Sequence, residues 1–367
     1  MKIALVAPLV APLREPQMGG AQALLADLAR GLSERGHRVE VYAAGGSAIP
    51  GVTVVETGID AARLRASRIV ITRRAPAAGQ AGGEAMEAAF AGIAADLDRR
   101  DFALAHNHAF DVPAIRQLAG LKLPVVHTLH MTPVAAMAGA LAQAAGGKRP
   151  PVVACVSEAQ ARDWRRLARI DAVLPNGVPT ARIPWSASPG VGAVFAGRFS
   201  PEKGAAEAIA IARAAGVPLA LYGDAYDAVY AREKVYSHRG QPGIAIFPAQ
   251  PRAQLWEIMQ RAAALLCPSN WEEPFGLAPA EAQACGTPVV GFRRGGLAEV
   301  VADGKTGFLV PAGNIAAAAS ALQRAATLSR AGCRRHAELT LDLGRCLDAH
   351  ERLYSQFMQS SAGSGLA

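Results

Sequence analysis

One order of elements occurs twice in this chain and restricts its fold more than composition does. Residues 2–8 are a short β-rich run, followed by a loop ending in Met18-Gly19-Gly20, a helical stretch over about 21–35, a Gly36 stop and a second strand at 38–43. The same succession returns later: an apolar run at 192–196, a loop at 197–204, an Ala- and Ile-rich helix to about 215, Gly216 as its stop and a strand at 218–222. Strand, crossover helix and parallel strand make one unit of a doubly wound sheet. The chain is therefore predicted to be α/β, with two Rossmann-like parallel-sheet halves. Further strands fit 103–106, 124–129, 152–156 and 172–174 in the first half, and 244–247, 263–267, 288–292 and 307–310 in the second. A turn at Pro175-Asn176-Gly177 and a Pro- and Ser-rich stretch at 184–189 separate them, which puts the domains at 1–187 with 346–367 and at 188–345. The final helix, about 346–359, is expected to pack back on the first domain, and the Ser/Gly-rich close at 360–365 to be disordered.

The 367 residues suffice for two packed cores, and 51% hydrophobic with 19% charged residues is ordinary for a globular protein. Five cysteines, odd in number and far apart, form no CxxC pair and read as buried thiols in a reducing compartment. The opening run 2–7 is too short for a signal peptide, and the uncharged run 131–147 is too weakly hydrophobic for a membrane span. The expected location is the cytoplasm. A net charge of +8 suits anionic ligands. With 5% aromatic residues and no dense basic stripe, nucleic acid is not expected as a partner. Trp164-Arg165-Arg166-Leu167-Ala168-Arg169 could give a peripheral contact with a lipid headgroup layer, although a solvated helix face explains such a run more often.

Chemistry concentrates in residues 268–288. Glu273 falls in a turn and Glu281 inside a helix, with Phe275-Gly276-Leu277-Ala278 where that helix begins. A helix start offers unpaired N–H groups and the positive end of a macrodipole, so it can hold a phosphate while two nearby carboxylates take hydroxyl groups. That layout suits a sugar nucleotide; two solvated acids on a capped surface helix are the plainer alternative. Arg198 and Lys203 stand on the glycine-bounded loop after the 192–196 strand, where two fixed cations can neutralise a diphosphate. Gly19 and Gly20 would let backbone approach a phosphate or sugar, or would simply form a tight turn. Histidines gather at two strand ends, His106 and His108 on one and His127 and His130 on the next. Alternation puts His130 on the face opposite His127, at the strand end where a ligand would sit, while His106 and His127 read as core residues. The Asp96-Leu97-Asp98 triplet mimics a metal-binding motif but lies in a charged helical segment and is discounted, and no metal site is expected.

Together these residues resemble the retaining glycosyltransferases of family 4, which have the GT-B fold. The likeness is carried by Gly19-Gly20, the His106-x-His108 pair, Thr128-Leu129-His130, Asn176-Gly177-Val178, Gly197-Arg198 with Lys203-Gly204, and Glu273-x(7)-Glu281. Pro288-Val289-Val290, Gly295-Gly296 with Glu299, and Gly304 with Thr306-Gly307-Phe308-Leu309-Val310 extend it, so that it spans nearly the whole chain. The resemblance implies that Arg198 and Lys203 grip the donor diphosphate, completed by amides around Phe275, Gly276, Leu277 and Ala278. Glu273 would touch sugar hydroxyls, Glu281 the ribose hydroxyls, and the backbone at Phe247, Pro248 and Ala249 the base. His130 would be the histidine beside the transferred sugar, with His108, Met131 and Asn176 on the acceptor side. The segment 131–147 departs from the pattern, being Ala-rich, and suggests a lid or an apolar acceptor wall.

The function implied is transfer of a hexose-type sugar from a UDP- or GDP-sugar co-substrate to a hydroxyl acceptor. It would proceed with retention and without a metal or other cofactor, in a cleft between the halves that closes on the donor. A non-catalytic sugar-nucleotide-binding subunit, or another enzyme of the same fold such as an epimerase, is the alternative.

Overall fold

The computed structural model describes residues 1–17, 19–58 and 80–363. Contacts divide the chain into two units: Met1–Arg14, Ala21–Pro175 and Gly344–Ala367 in the first, Glu15–Gly20 and Asn176–Leu343 in the second.

The first unit is a parallel sheet of seven strands: β1 (Lys2–Val6), β2 (Arg38–Ala43), β3 (Thr53–Glu56), β4 (Leu104–Asn107), β5 (Val125–Leu129), β6 (Val152–Cys155) and β7 (Ala172–Val173). Their order is β3-β2-β1-β4-β5-β6-β7, with neighbours in parallel register throughout. The order reverses between β1 and β4, and the carboxyl end of β4 carries His106, with His108 just beyond it. The helices of this unit are α1 (Gly20–Glu34, in this unit from Ala21), α2 (Gln80–Arg99), α3 (Val112–Leu118), α4 (Ala135–Ala145) and α5 (Glu158–Trp164). Asp96 and Asp98 lie on α2, where Asp96 accepts a 2.6 Å hydrogen bond from the Tyr42 hydroxyl.

The stretch expected to be a lid or an acceptor wall is α4. It buries Met137, Ala138, Ala140, Leu141 and Ala144 in a core shared with Leu129, Val153 and Trp164. Alanines at helical spacing fill a narrow gap between elements on that face, while Ala135, Ala136, Ala142 and Ala145 are exposed on the other. Trp164 is likewise fully buried, its indole N–H donating 2.8 Å to the Met131 carbonyl, so the run 164–169 presents Leu167 rather than an aromatic to solvent.

The second unit is a parallel sheet of six strands: β8 (Ala193–Ala196), β9 (Leu219–Tyr222), β10 (Ile244–Phe247), β11 (Ala264–Cys267), β12 (Val289–Phe292) and β13 (Gly307–Val310), ordered β10-β9-β8-β11-β12-β13. Its longer helices are α6 (Ala205–Ala215), α7 (Arg252–Arg261), α8 (Leu277–Ala284), α9 (Leu297–Val300), α10 (Ile315–Ala325) and α11 (Arg330–Thr340). Gly216 ends α6 at φ +69°, a backbone state that favours glycine. The switch point lies between β8 and β11, whose following loops carry Arg198, Lys203 and Glu273.

By its contacts the segment 176–187 groups with the second unit, although the Pro- and Ser-rich stretch places the expected boundary at 187. Arg334 explains why. Its guanidinium donates to the carbonyls of Thr180, Ile183 and Ala284 at 2.8–2.9 Å, and Arg330 donates to Ser186 O at 2.9 Å. The last helix, α12 (Leu343–Gly363), starts three residues earlier than expected and runs through part of the Ser/Gly-rich close; residues 364–367 lie outside the described part, as does Met18. From Gly344 it belongs to the first unit, where Arg35 pairs with Asp348 and Glu351, His37 with Glu351, and Leu347 fills the space that a side chain on Gly31 would need.

Candidate active site

In the second unit, four loops at the carboxyl ends of strands touch backbone to backbone. Gly204 has φ +76°, and a Cβ there would stand 2.0 Å from the Pro268 carbonyl oxygen; one on Gly223 would stand 2.0 Å from Gly197 O. Gly295, at φ +53°, would meet Glu273 O at 2.3 Å, and Gly296 N–H donates to that same oxygen at 2.7 Å. The loops after β8, β9, β11 and β12 therefore form one tightly seated group, which fixes the side chains standing on it.

Lys203 and Glu273 are the centre of this group. Lys203 Nζ lies 2.7 and 2.9 Å from the two Glu273 oxygens and 4.9 Å from the centre of the Trp271 ring. Glu273 Oε2 also accepts from Ser269 Oγ at 3.0 Å and Trp271 Nε1 at 2.8 Å. Burial pushes the Glu273 carboxyl up, but the Lys203 charge and these hydrogen bonds outweigh it and hold the group below its usual range. Glu273, expected to reach sugar hydroxyls, is here ion-paired with Lys203. Arg198 extends the positive face; its guanidinium lies 4.3 Å from the Tyr226 ring centre and 3.3 Å from Glu202 Oε1.

The buried helix α8 begins at Gly276, whose φ of +107° turns the chain into the helix, and Pro279 in its first turn lacks an N–H that would have no intrahelical partner. Phe275 and Leu277 are buried and Ala278 half-buried. Both carboxylates flanking this start are buried, which excludes the solvated-acid alternative: Glu273 is 8% and Glu281 4% exposed. Glu281 is ion-paired with Arg252, a residue the sequence analysis did not single out. Gly19 has open space around it, and a Cβ on Gly20, which groups with this unit, would stand 3.4 Å from that of Leu277. At the turn after β10, the Ala249 N–H donates to Asp224 Oδ1 at 3.1 Å and the Pro248 carbonyl accepts from Gln250 Nε2. What that turn exposes is the Phe247 ring, stacked on Tyr222 with centroids 4.9 Å apart. Asn176, expected beside the acceptor, is buried in this second unit.

In the first unit the histidines gather as the sequence suggests. His108 Nδ1 and His130 Nε2 share a hydrogen bond of 2.9 Å. His106 is fully buried between the Tyr354 hydroxyl and Thr128 Oγ1, each at 2.6 Å, and His127 Nδ1 accepts from Asn107 Nδ2 at 3.0 Å. Burial, with mutual repulsion, drives His106 and His108 well down; burial pushes His127 and His130 to about 4, so these rings are neutral at neutral pH. His130 alone of the four is partly exposed, at the end of β5. The Met131 side chain, expected on the acceptor side, is buried in the core, and the carbonyl of that residue accepts from Gln160 and Trp164. Among the described residues no three His, Cys, Asp or Glu side chains are grouped to hold a metal ion, and no helix is long and apolar enough to cross a membrane.

Two sequence families divide this chain between them. Residues 18–182 match the model described as Glycosyltransferase Family 4, and residues 191–337 match Glycosyl transferases group 1. The chain belongs to the family 4 glycosyltransferases, with the GT-B fold. A family member in Segniliparus rotundus, a D-inositol 3-phosphate glycosyltransferase, is 37% identical over 154 residues, 38% of this chain and 34% of its own length. The alpha-maltose-1-phosphate synthase of Mycolicibacterium smegmatis is 39% identical over 124 residues, 32% of each chain. The chain thus spans about a third of the length of these curated relatives. Among solved structures, AviGT4, a glycosyltransferase involved in avilamycin A biosynthesis, superimposes with a TM-score of 0.70 at 27% identity over 99% of this chain and 98% of its own. HepE from Anabaena, in complex with UDP and glucose, gives 0.73 at 20% identity over 97% and 99%. Both matches end before α12, so that helix lies outside them.

Proposed function

We propose that this family 4 chain transfers a hexose-type sugar from a UDP- or GDP-sugar to a hydroxyl acceptor, with retention and without a metal. The observation that carries the reading is Lys203, held by Glu273 on the same group of loops as Arg198 and the α8 start. Cleavage of an anomeric C–O bond leaves positive charge on the sugar ring and new negative charge on the departing diphosphate. A fixed ammonium, a guanidinium and unpaired helix amides stabilise that developing charge, and their positions are set before the reaction. Two cations then do the neutralising work that a divalent ion would do, which is the argument for metal independence.

On this reading Glu281 takes the ribose hydroxyls and the exposed Phe247 ring lies by the base. His130 lies by the transferred sugar as a neutral ring able to accept or donate a hydrogen bond. Retention follows from attack on the face that the diphosphate leaves, with a phosphate oxygen taking the acceptor's proton, so no covalent glycosyl-enzyme forms. The inositol phosphate and maltose phosphate named for the two relatives, and the UDP and glucose of HepE, support a nucleotide-sugar donor and a hydroxylated acceptor. The test is a donor screen by thermal shift and slow hydrolysis. One UDP- or GDP-sugar is expected to raise the melting temperature and release its nucleotide with no added metal. Loss of that turnover in a chelator, restored by manganese, overturns metal independence; no shift with any donor overturns the reading.

A further inference from the structure

Arg252 is a cation in an unfavourable place. It is the first residue of α7, at the positive end of that helix's dipole, and only 8% of it is exposed. Both effects disfavour a charge there, so something specific keeps it. Its partner is Glu281 on α8, itself 4% exposed. The usual arginine–carboxylate pair is side-on, with one nitrogen to each oxygen. Here the hold is on one oxygen: Nε donates to Glu281 Oε1 at 2.8 Å, and Nη2 lies 2.6 Å from the same oxygen outside hydrogen-bonding geometry. Glu281 Oε2 accepts no hydrogen bond from any described residue. Trp256, one turn further along α7, stands under the guanidinium with its ring centre 5.1 Å away and limits its movement.

We infer that Arg252 is a positioning residue: it locks Glu281 by one oxygen so that the other is presented to the vicinal hydroxyls of a ribose, and it thereby makes the site select ribonucleotides over 2′-deoxyribonucleotides. This rests on the proposed function, in which Glu281 faces the donor ribose. A carboxylate oxygen has two acceptor directions, and a 1,2-diol supplies two donors at matching spacing. A side-on pair would split Oε2 between arginine and sugar. A free, rotating carboxylate would have to be ordered at each binding event. Arg252 also begins α7 directly after the turn that holds Phe247 and Ala249, so it connects the proposed base-side turn to the ribose-side carboxylate.

The experiment is calorimetric titration of the full chain with UDP, 2′-deoxy-UDP, GDP and 2′-deoxy-GDP, in the natural protein and in Arg252→Ala and Arg252→Lys. The natural protein is expected to prefer the ribonucleotide about tenfold, one diol hydrogen bond's worth. Arg252→Ala should weaken the ribonucleotide about tenfold, leave the deoxynucleotide unchanged and bring the preference close to one. Arg252→Lys, with a single point charge, should keep an intermediate preference. Equal weakening of both nucleotides, with the preference kept, overturns the inference and leaves Arg252 a purely structural residue. If Arg252→Ala does not fold, Arg252→Lys decides: a preference reduced threefold or more supports the inference, and an unchanged one overturns it. A natural protein that binds nucleotides without discriminating the ribose overturns the inference and leaves the functional reading standing; one that binds no nucleoside diphosphate overturns the functional reading itself.

Discussion

A carboxylate has four good acceptor directions, and in Glu273 they are directed to Lys203, Ser269 and Trp271. The residue is therefore best tested through the lysine it aims. Lys203→Ala removes a fixed charge from the site proposed for the leaving diphosphate and should lower kcat on the order of a hundredfold or more, as loss of a preorganised charge partner does elsewhere. Glu273→Gln keeps the shape and loses the counter-charge, so Lys203 is no longer held; initial rates with saturating donor should fall, by less than in Lys203→Ala. A larger loss in Glu273→Gln would mean that the carboxylate itself touches the sugar. Which residues carry charge was plain in the sequence, because Arg198, Lys203, Glu273 and Glu281 stand at strand ends and a helix start. Their pairing was not plain. Lys203 and Glu273 are 70 positions apart and Arg252 and Glu281 are 29 apart, and no local pattern joins them.

At the scale of elements, buried parallel strands are nearly continuous apolar runs, and Gly36 and Gly216 stop helices, so both doubly wound orders could be read directly. β3 escaped notice: its four residues, Thr53-Val54-Val55-Glu56, are half-buried at best on the sheet's edge, with too few apolar positions to stand out. The alanines of α4 are ambiguous in the sequence, because smallness at a packed interface resembles the blandness of a lid. Glycines in the loops can be sorted by experiment. Gly295→Ala adds a methyl group 2.3 Å from the Glu273 carbonyl oxygen at φ +53°, and should cost about 2 kcal/mol or more in urea denaturation together with most of the activity. Gly216→Ala, at φ +69° but with open space around it, should cost roughly 1 kcal/mol and leave activity intact. Equal effects of the two would show that the crowding at Gly295 is relieved elsewhere.

For the molecule as a whole, the first unit carries a strong pH dependence. His106, His108, His127, His130 and His350 all have values depressed by burial, three of them to about 4, while in the unfolded chain each titrates near 6.5. The unfolded state therefore binds more protons between about pH 6.5 and 4, and stability is lost as pH falls through that window. Asp111 works the other way: burial raises it to about 6, so its contribution is full below the usual carboxylate value and is lost as pH rises through 6. Five groups outweigh one, and the thermal midpoint should drop steadily from pH 7 to pH 5. A flat or rising midpoint over that range would mean that the histidines are hydrated.

The return of α12 to the first unit has a consequence for biosynthesis. The second unit is contiguous from Asn176 to Leu343 apart from Glu15–Gly20, whereas the first needs Tyr354 and His350 beside His106. As the polypeptide leaves the ribosome, the later-encoded unit has almost all of its parts before the earlier one is complete. The amino-terminal sheet must wait, with His106 uncovered, until the segment carrying His350 and Tyr354 has been translated.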